Sequence, residues 1–241
     1  MLSAFEAIPV KDRVIVAFDC DAQEALRLAT LLKGKALWVK VGMTLYYAEG
    51  PSIVRALKEM GFKVFLDLKF HDIPHQVKGA AASAVRSGAD MITMHACGGV
   101  SMMQAGLAGA QEAGELLGEG SPVTLGITVL TSMDEATLAC AGVSRPMEEQ
   151  VSSLARLARE AGLSGVVASP QEAATLREAL GPEAYIVTPG VRPAGSSKGD
   201  QSRVATPAAA FSAGASHIVV GRPITQAEDP AAAFDAIVAS I

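Results

Sequence analysis

The sequence predicts an α/β protein folded as a single (β/α)₈ barrel, and three observations carry that expectation. Short runs rich in β-branched residues alternate with Ala- and Leu-rich stretches along the whole chain, the pattern of repeated βαβ units. Eight such runs fit within 241 residues, close to the ~250 residues such a barrel commonly needs. No linker rich in Pro, Ser or charge interrupts them, so residues 1–241 read as one domain. A doubly wound open sheet is the rival, but it is usually announced by a Gly-rich turn after the first strand. Here that turn reads Asp19-Cys-Asp-Ala22.

The expected strands are 14–19, 36–42, 63–69, 91–96, 123–130, 165–169, 184–189 and 217–221. Each is a short apolar or β-branched run bounded by turn or charged residues. Between them, apolar residues at three- and four-residue spacing predict helices over 21–32, 51–60, 75–87, 100–117, 147–161 and 170–180. Gly61, Gly88 and Gly162 follow helical stretches, as C-terminal caps do. Thr206-Pro207 and Asp229-Pro230 combine a capping side chain with proline at the first helical position, and so start the last two helices.

Composition narrows the classes of function. Half the residues are apolar, enough for a large core. Net charge is −5 and no basic block occurs, so no nucleic-acid surface is indicated, and an anionic ligand must be met by local positive groups. Cys20, Cys97 and Cys140 are odd in number, far apart and never in C-x-x-C spacing, which speaks against a disulfide scaffold or zinc site and for a reducing cytoplasm. Neither a signal peptide nor a run of roughly 20 apolar residues is present, so no membrane association is expected.

Chemistry concentrates where a barrel of this kind places it, at the C-terminal ends of strands. Asp19 ends the first expected strand, Lys40 lies near the end of the second, and Asp67 and Lys69 end the third. Asp67 and Lys69 are two apart and project from one face, while Leu66, Leu68 and Phe70 project from the other. Taken alone, Lys40 is an exposed strand-end lysine. Beside Asp19, Asp67 and Lys69 it belongs to an alternating array, which tolerates burial only if every ion is paired. Such an array is either a structural ion network or a catalytic one. An ammonium held at a reacting carbon stabilises developing negative charge and can then deliver a proton.

A second cluster follows strands seven and eight. Thr188-Pro-Gly-Val-Arg192 precedes a Gly/Ser-rich segment and Gln201, and Val220-Gly-Arg-Pro-Ile224 closes strand eight. Loops in these places often bind phosphate through backbone N–H groups. Gly221 permits close backbone approach and Arg222 adds a fork of donors. The segment between Arg192 and Gln201 is long for a barrel connection and is a candidate lid. Thr131 either bonds a substrate amide or caps the next helix. His95 reads as a packed strand-end histidine. His71 and His75 flank Asp72 without an H-E-x-x-H pattern, so no metal is expected.

The motifs Val-Ala-Phe-Asp19, Val-Lys40-Val-Gly, Asp67-x-Lys69-x-x-Asp72-Ile73-Pro, Leu130-Thr-Ser132, Thr188-Pro-Gly-Val-Arg192, Gly199-Asp-Gln-x-Arg203 and Val-Gly-Arg222-Pro-Ile occur in order. Together they resemble the bacterial form of the orotidine 5′-phosphate decarboxylase family over essentially the whole chain. The resemblance implies conversion of orotidine monophosphate to UMP and CO₂ in pyrimidine biosynthesis, with no metal or organic cofactor. It implies that Lys69 protonates C6 of the pyrimidine and that Lys40, Asp67 and Asp72 complete the catalytic array. Substrate contacts would come from Asp19 and Lys40 at the ribose, Thr131 at the pyrimidine, and Gln201, Gly221 and Arg222 at the phosphate, with Arg192 nearby. Asp67, Asp72 and Ile73 would also touch the ligand. Asp72 would enter the neighbouring subunit's site, making a homodimer with shared active sites. Gln76 stands where many relatives have a threonine that contacts the ligand across the dimer; its amide can reach a ribose hydroxyl. Two rivals remain: a magnesium-dependent sugar-phosphate decarboxylase or aldolase of the same barrel superfamily, and a non-catalytic nucleotide-binding barrel.

Overall fold

The computed structural model describes residues 4–118, 120–193 and 205–241. Eight parallel strands follow one another around a closed barrel: β1 (Val14–Phe18), β2 (Trp38–Gly42), β3 (Lys63–Phe70), β4 (Met91–His95), β5 (Val123–Ile127), β6 (Gly165–Val167), β7 (Tyr185–Thr188) and β8 (His217–Val220). Closure is made by β8 pairing with β1, Val14 against Ile218 and Val16 against Val220. The expected (β/α)₈ architecture is therefore observed, with every strand in sequence order.

Period-two alternation sorts the strand residues into two cores. Ile15, Ala17, Trp38, Phe65, Met91, Leu125, Val187 and Val219 fill the barrel. Val14, Val16, Phe18, Val39, Val41 and Leu66 face outward into a larger core under the helices. Full burial of each such side chain contributes about 1.5–3 kcal/mol.

The helices are α1 (Ala22–Leu32), α2 (Met43–Glu49), α3 (Pro51–Glu59), α4 (Pro74–Arg86), α5 (Val100–Leu117), α6 (Glu135–Cys140), α7 (Met147–Glu160), α8 (Ala173–Leu180), α9 (Pro207–Ser212), α10 (Arg222–Thr225) and α11 (Pro230–Ala239). Asp21 caps α1 by accepting from the Glu24 N–H at 2.9 Å. Thr206 caps α9 through Ala209, and Asp229 caps α11 through Ala231 and Ala232. Both caps expected near the C-terminus are thus made, each worth about 1 kcal/mol. Among the described residues no helix is long and apolar enough to cross a membrane.

Three differences from the sequence reading concern boundaries. The short helices α2, α6 and α10 were not expected, because runs of four to seven residues show too few turns for periodicity to emerge. β5 stops at Ile127, short of the expected 130. Val129 and Leu130 are apolar and so look like strand, but they line a pocket beyond the sheet. Finally, β3 runs to Phe70 and is bulged: Leu66 pairs with Ile92 and Phe70 with Met94, so four steps along β3 match two along β4. Within the bulge lies Lys69, the only non-glycine among the described residues with positive φ, at 53°.

Candidate active site

The bulge lies at the C-terminal mouth of the barrel, and around it the expected charges converge. The Lys69 Nζ donates to Asp67 Oδ2 at 2.8 Å, and the Lys40 Nζ approaches the same oxygen at 3.8 Å. Lys40 also donates to Asp19 Oδ1 at 2.9 Å. The order is Asp19, Lys40, Asp67, Lys69, each charge beside its opposite. The array is wettest at Asp19 and driest in its middle: Asp19 keeps 66 % of its side chain exposed, against 10 % for Lys40, 12 % for Asp67 and 27 % for Lys69. Gly42 allows the close approach, since a Cβ there would lie 3.1 Å from both the Asp19 carboxylate and the Lys40 Nζ.

Burial is the largest influence on Asp67 and pushes its carboxyl up. The charges of Lys40 and Lys69, with hydrogen bonds from Lys69 and Thr93, outweigh it and hold the carboxyl below its ordinary value. Asp67 is therefore an anion at neutral pH. His95, at the end of β4, is pushed down by burial and by His71 and Lys69, and it stays neutral.

Two connected clefts open on the array. One, of about 230 Å³, is lined by Lys40, Asp67, Lys69 and apolar groups including Ile127, Val129 and Val167, with Thr131 at its edge. Thr131 is buried, and α6 is capped by Asp134, whose side chain accepts from the Thr137 N–H. Capping that helix is thus not the role of Thr131. The other cleft, of about 430 Å³, holds Asp19, Lys40, Arg192, Gly221 and Arg222. Gly221 is the N-cap of α10 and Arg222 its first residue. Lys40, Pro189 and Val219 border both clefts. An apolar slot ending in paired ions, joined to a basic mouth, suits a flat ring carrying an anionic tail. A further cleft of about 510 Å³ lies among Met133, Glu135, Glu148 and Glu172; it lacks any cation and does not adjoin the array.

A model of the orotidine 5′-phosphate decarboxylase / HUMPS family matches residues 12–237. The chain belongs to that family. It is 54 % identical over 233 residues to the orotidine 5′-phosphate decarboxylase of Moorella thermoacetica, covering 96 % of this chain and 92 % of the relative. The Cutibacterium acnes protein of the same name is 52 % identical over 227 residues, covering 93 % and 94 %. The crystal structure of the Lactobacillus acidophilus orotidine 5′-phosphate decarboxylase superposes with a TM-score of 0.84 at 40 % identity, covering 94 % of this chain and 97 % of that one.

In this member of the decarboxylase family, Asp72 does not join the array. It is exposed, its Oδ1 accepts from the Ile73 N–H at 2.6 Å, and among the described residues it forms no ion pair. Ile73 is 63 % exposed and Gln76 also faces solvent. Gln201 and the candidate lid lie outside the described residues.

Sequence reasoning missed several groups in the candidate site. Cys20 lines the basic cleft, and burial together with Glu24, Asp21 and Asp19 pushes its thiol up to about 11, so it is not a nucleophile. Pro189 and Val219 form the wall shared by both clefts. The inward alternation of β8 was the signal for Val219. Thr93 is fully buried and bonded to both Asp67 and Lys69. No signal marked it, since threonine is an ordinary strand former.

Proposed function

We propose that the chain decarboxylates orotidine monophosphate to UMP and CO₂ in pyrimidine biosynthesis. The observation that carries this reading is the Asp19–Lys40–Asp67–Lys69 array set between an apolar slot and a basic mouth. The names of relatives about half identical over most of the chain support it.

The pyrimidine occupies the apolar slot with its Thr131 edge, the ribose lies over Asp19 and Lys40, and the phosphate reaches Gly221, Arg222, Arg192 and Gln201. When the bond from C6 to the carboxylate breaks, CO₂ leaves and the electron pair stays at C6. The Lys69 ammonium, fixed against Asp67, stabilises that pair and then transfers a proton to it; the lysine regains its proton from water. Fixed charges in a water-poor pocket favour the transition state more than the ground state. The reading invokes no metal or organic cofactor, as the family resemblance implies, and Asp67 serves the lysines instead, with Oδ2 bonded by Lys69 and Oδ1 by Thr93. The enzyme works as a cytoplasmic homodimer in which Asp72, Ile73 and Gln76 complete the neighbour's site. Exposed Ile73, with Tyr47 (72 %) and Met43 (46 %) on α2, supplies apolar surface for that contact.

Incubating the EDTA-treated protein with orotidine monophosphate and following UMP by ultraviolet absorbance tests the reading. Turnover is expected, and Lys69→Ala lowers it by at least about 10³-fold with circular dichroism unchanged. No turnover by the parent protein refutes the reading, and turnover only with magnesium transfers it to the sugar-phosphate class.

A further inference from the structure

The proposed chemistry depends on a lysine whose backbone is in an unfavourable conformation, and one buried hydroxyl accounts for how it is held. A bulged strand leaves a ladder N–H without its ordinary partner. At Lys69 that N–H donates to Thr93 Oγ1 at 2.9 Å. The same hydroxyl donates to Asp67 Oδ1 at 2.9 Å, the oxygen that neither lysine takes. Thr93 is wholly buried in β4, so water cannot substitute for it. A single oxygen therefore joins the backbone of the candidate proton donor to the carboxylate that receives its ammonium.

Resting on the decarboxylase reading above, we propose that Thr93 is a positioning residue: its hydroxyl bridge keeps Lys69 in the left-handed conformation that aims the ammonium at the reacting carbon. Thr93 does not itself reach the substrate clefts. It acts through Asp67 and Lys69.

The groups facing Asp67 are Lys40 from β2, Lys69 from β3, and Thr93 and His95 from β4, with Asp19 of the β1 end behind Lys40. Removing the hydroxyl deletes one of the influences that hold the Asp67 carboxyl low. Its pKa then rises, and the acid limb of kcat/KM moves to higher pH. The near-isosteric Thr93→Val removes the bridge and Thr93→Ser keeps it. We expect Thr93→Val to lower kcat about 10- to 100-fold, the scale of a lost charge-assisted hydrogen bond, with little change in KM because the phosphate contacts persist. Thr93→Ser should restore most of the rate and the parental acid limb. In parallel, the Lys69 amide should exchange its hydrogen faster in Thr93→Val and stay protected in Thr93→Ser, a readout that needs no turnover.

Unchanged kcat and acid limb in a folded Thr93→Val protein overturn the proposal, as does a Thr93→Ser protein as impaired as the valine variant. Unchanged protection of the Lys69 amide in Thr93→Val overturns the bridge itself. A parent protein inactive on orotidine monophosphate refutes the activity instead, and the amide exchange still judges the bridge.

Discussion

Lys69 shows how local strain and charge serve one purpose. A non-glycine residue in the left-handed region costs on the order of 1–2 kcal/mol. Here φ is 53°, and the surrounding contacts hold it there: a salt bridge to Asp67 from its side chain and a bond to Thr93 from its backbone. The charge of Asp19, Lys40, Asp67 and Lys69 was legible in the sequence because ions stood at the ends of apolar runs. The conformation was not, because nothing in a single lysine codes for positive φ. At the other end of the site, Arg222 begins α10 beside Arg192 in the basic cleft. If it holds the phosphate, Arg222→Ala should lower kcat/KM for orotidine monophosphate about 10- to 100-fold, the scale of one charge-assisted contact. Slow turnover of orotidine, which lacks the phosphate, should not change. Equal losses on the two substrates would assign Arg222 to the fold instead.

Among the elements, the pair α4 and α5 bears on the site through the segment that carries Asp72 and Ile73. α4 starts directly after Asp72 and Ile73, so its seating decides where that loop leaves the barrel. The seating depends on absent side chains: a Cβ on Gly109 of α5 would lie 2.2 Å from the carbonyl oxygen of Lys78 on α4, and one on Gly106 would lie 3.0 Å from Val77. Backbone cannot step aside as a flexible side chain can. Gly109→Ala should therefore destabilise the protein by about 1–3 kcal/mol, seen as a lower urea midpoint at unchanged slope. An unchanged midpoint would mean that the two helices part at little cost. The sequence showed both helices through their periodicity, but glycine inside α5 read only as a weak helix former. Which helix presses on it is a tertiary fact. The same limit explains β5: apolar Val129 and Leu130 continue the strand pattern, yet they leave the sheet to wall the pocket.

At the scale of the whole molecule, the net charge of −5 runs opposite to the basic mouth where Lys40, Arg192 and Arg222 gather. Barrel topology makes this possible, since it brings the ends of strands far apart in sequence to one rim. The barrel itself was readable from eight alternating units, because each unit repeats the same short-range pattern. What one chain cannot display is a residue that completes another chain's site. Asp72 is that residue in the proposed dimer: it is exposed and pairs with no lysine of its own protomer among the described residues. In a two-fold dimer each site would combine Lys69 of one protomer with Asp72 of its partner. Lys69→Ala and Asp72→Ala homodimers should then both be inactive, while a hybrid of the two keeps one site with both residues intact. Mixing the variants in equal amounts with subunit exchange should recover roughly a quarter of the parental activity, because half the dimers are hybrids with one working site each. If Asp72 served its own protomer, both sites of every hybrid would lack one residue. Inactivity of the mixture, with hybrids demonstrated by differently tagged subunits, would therefore return Asp72 to its own chain.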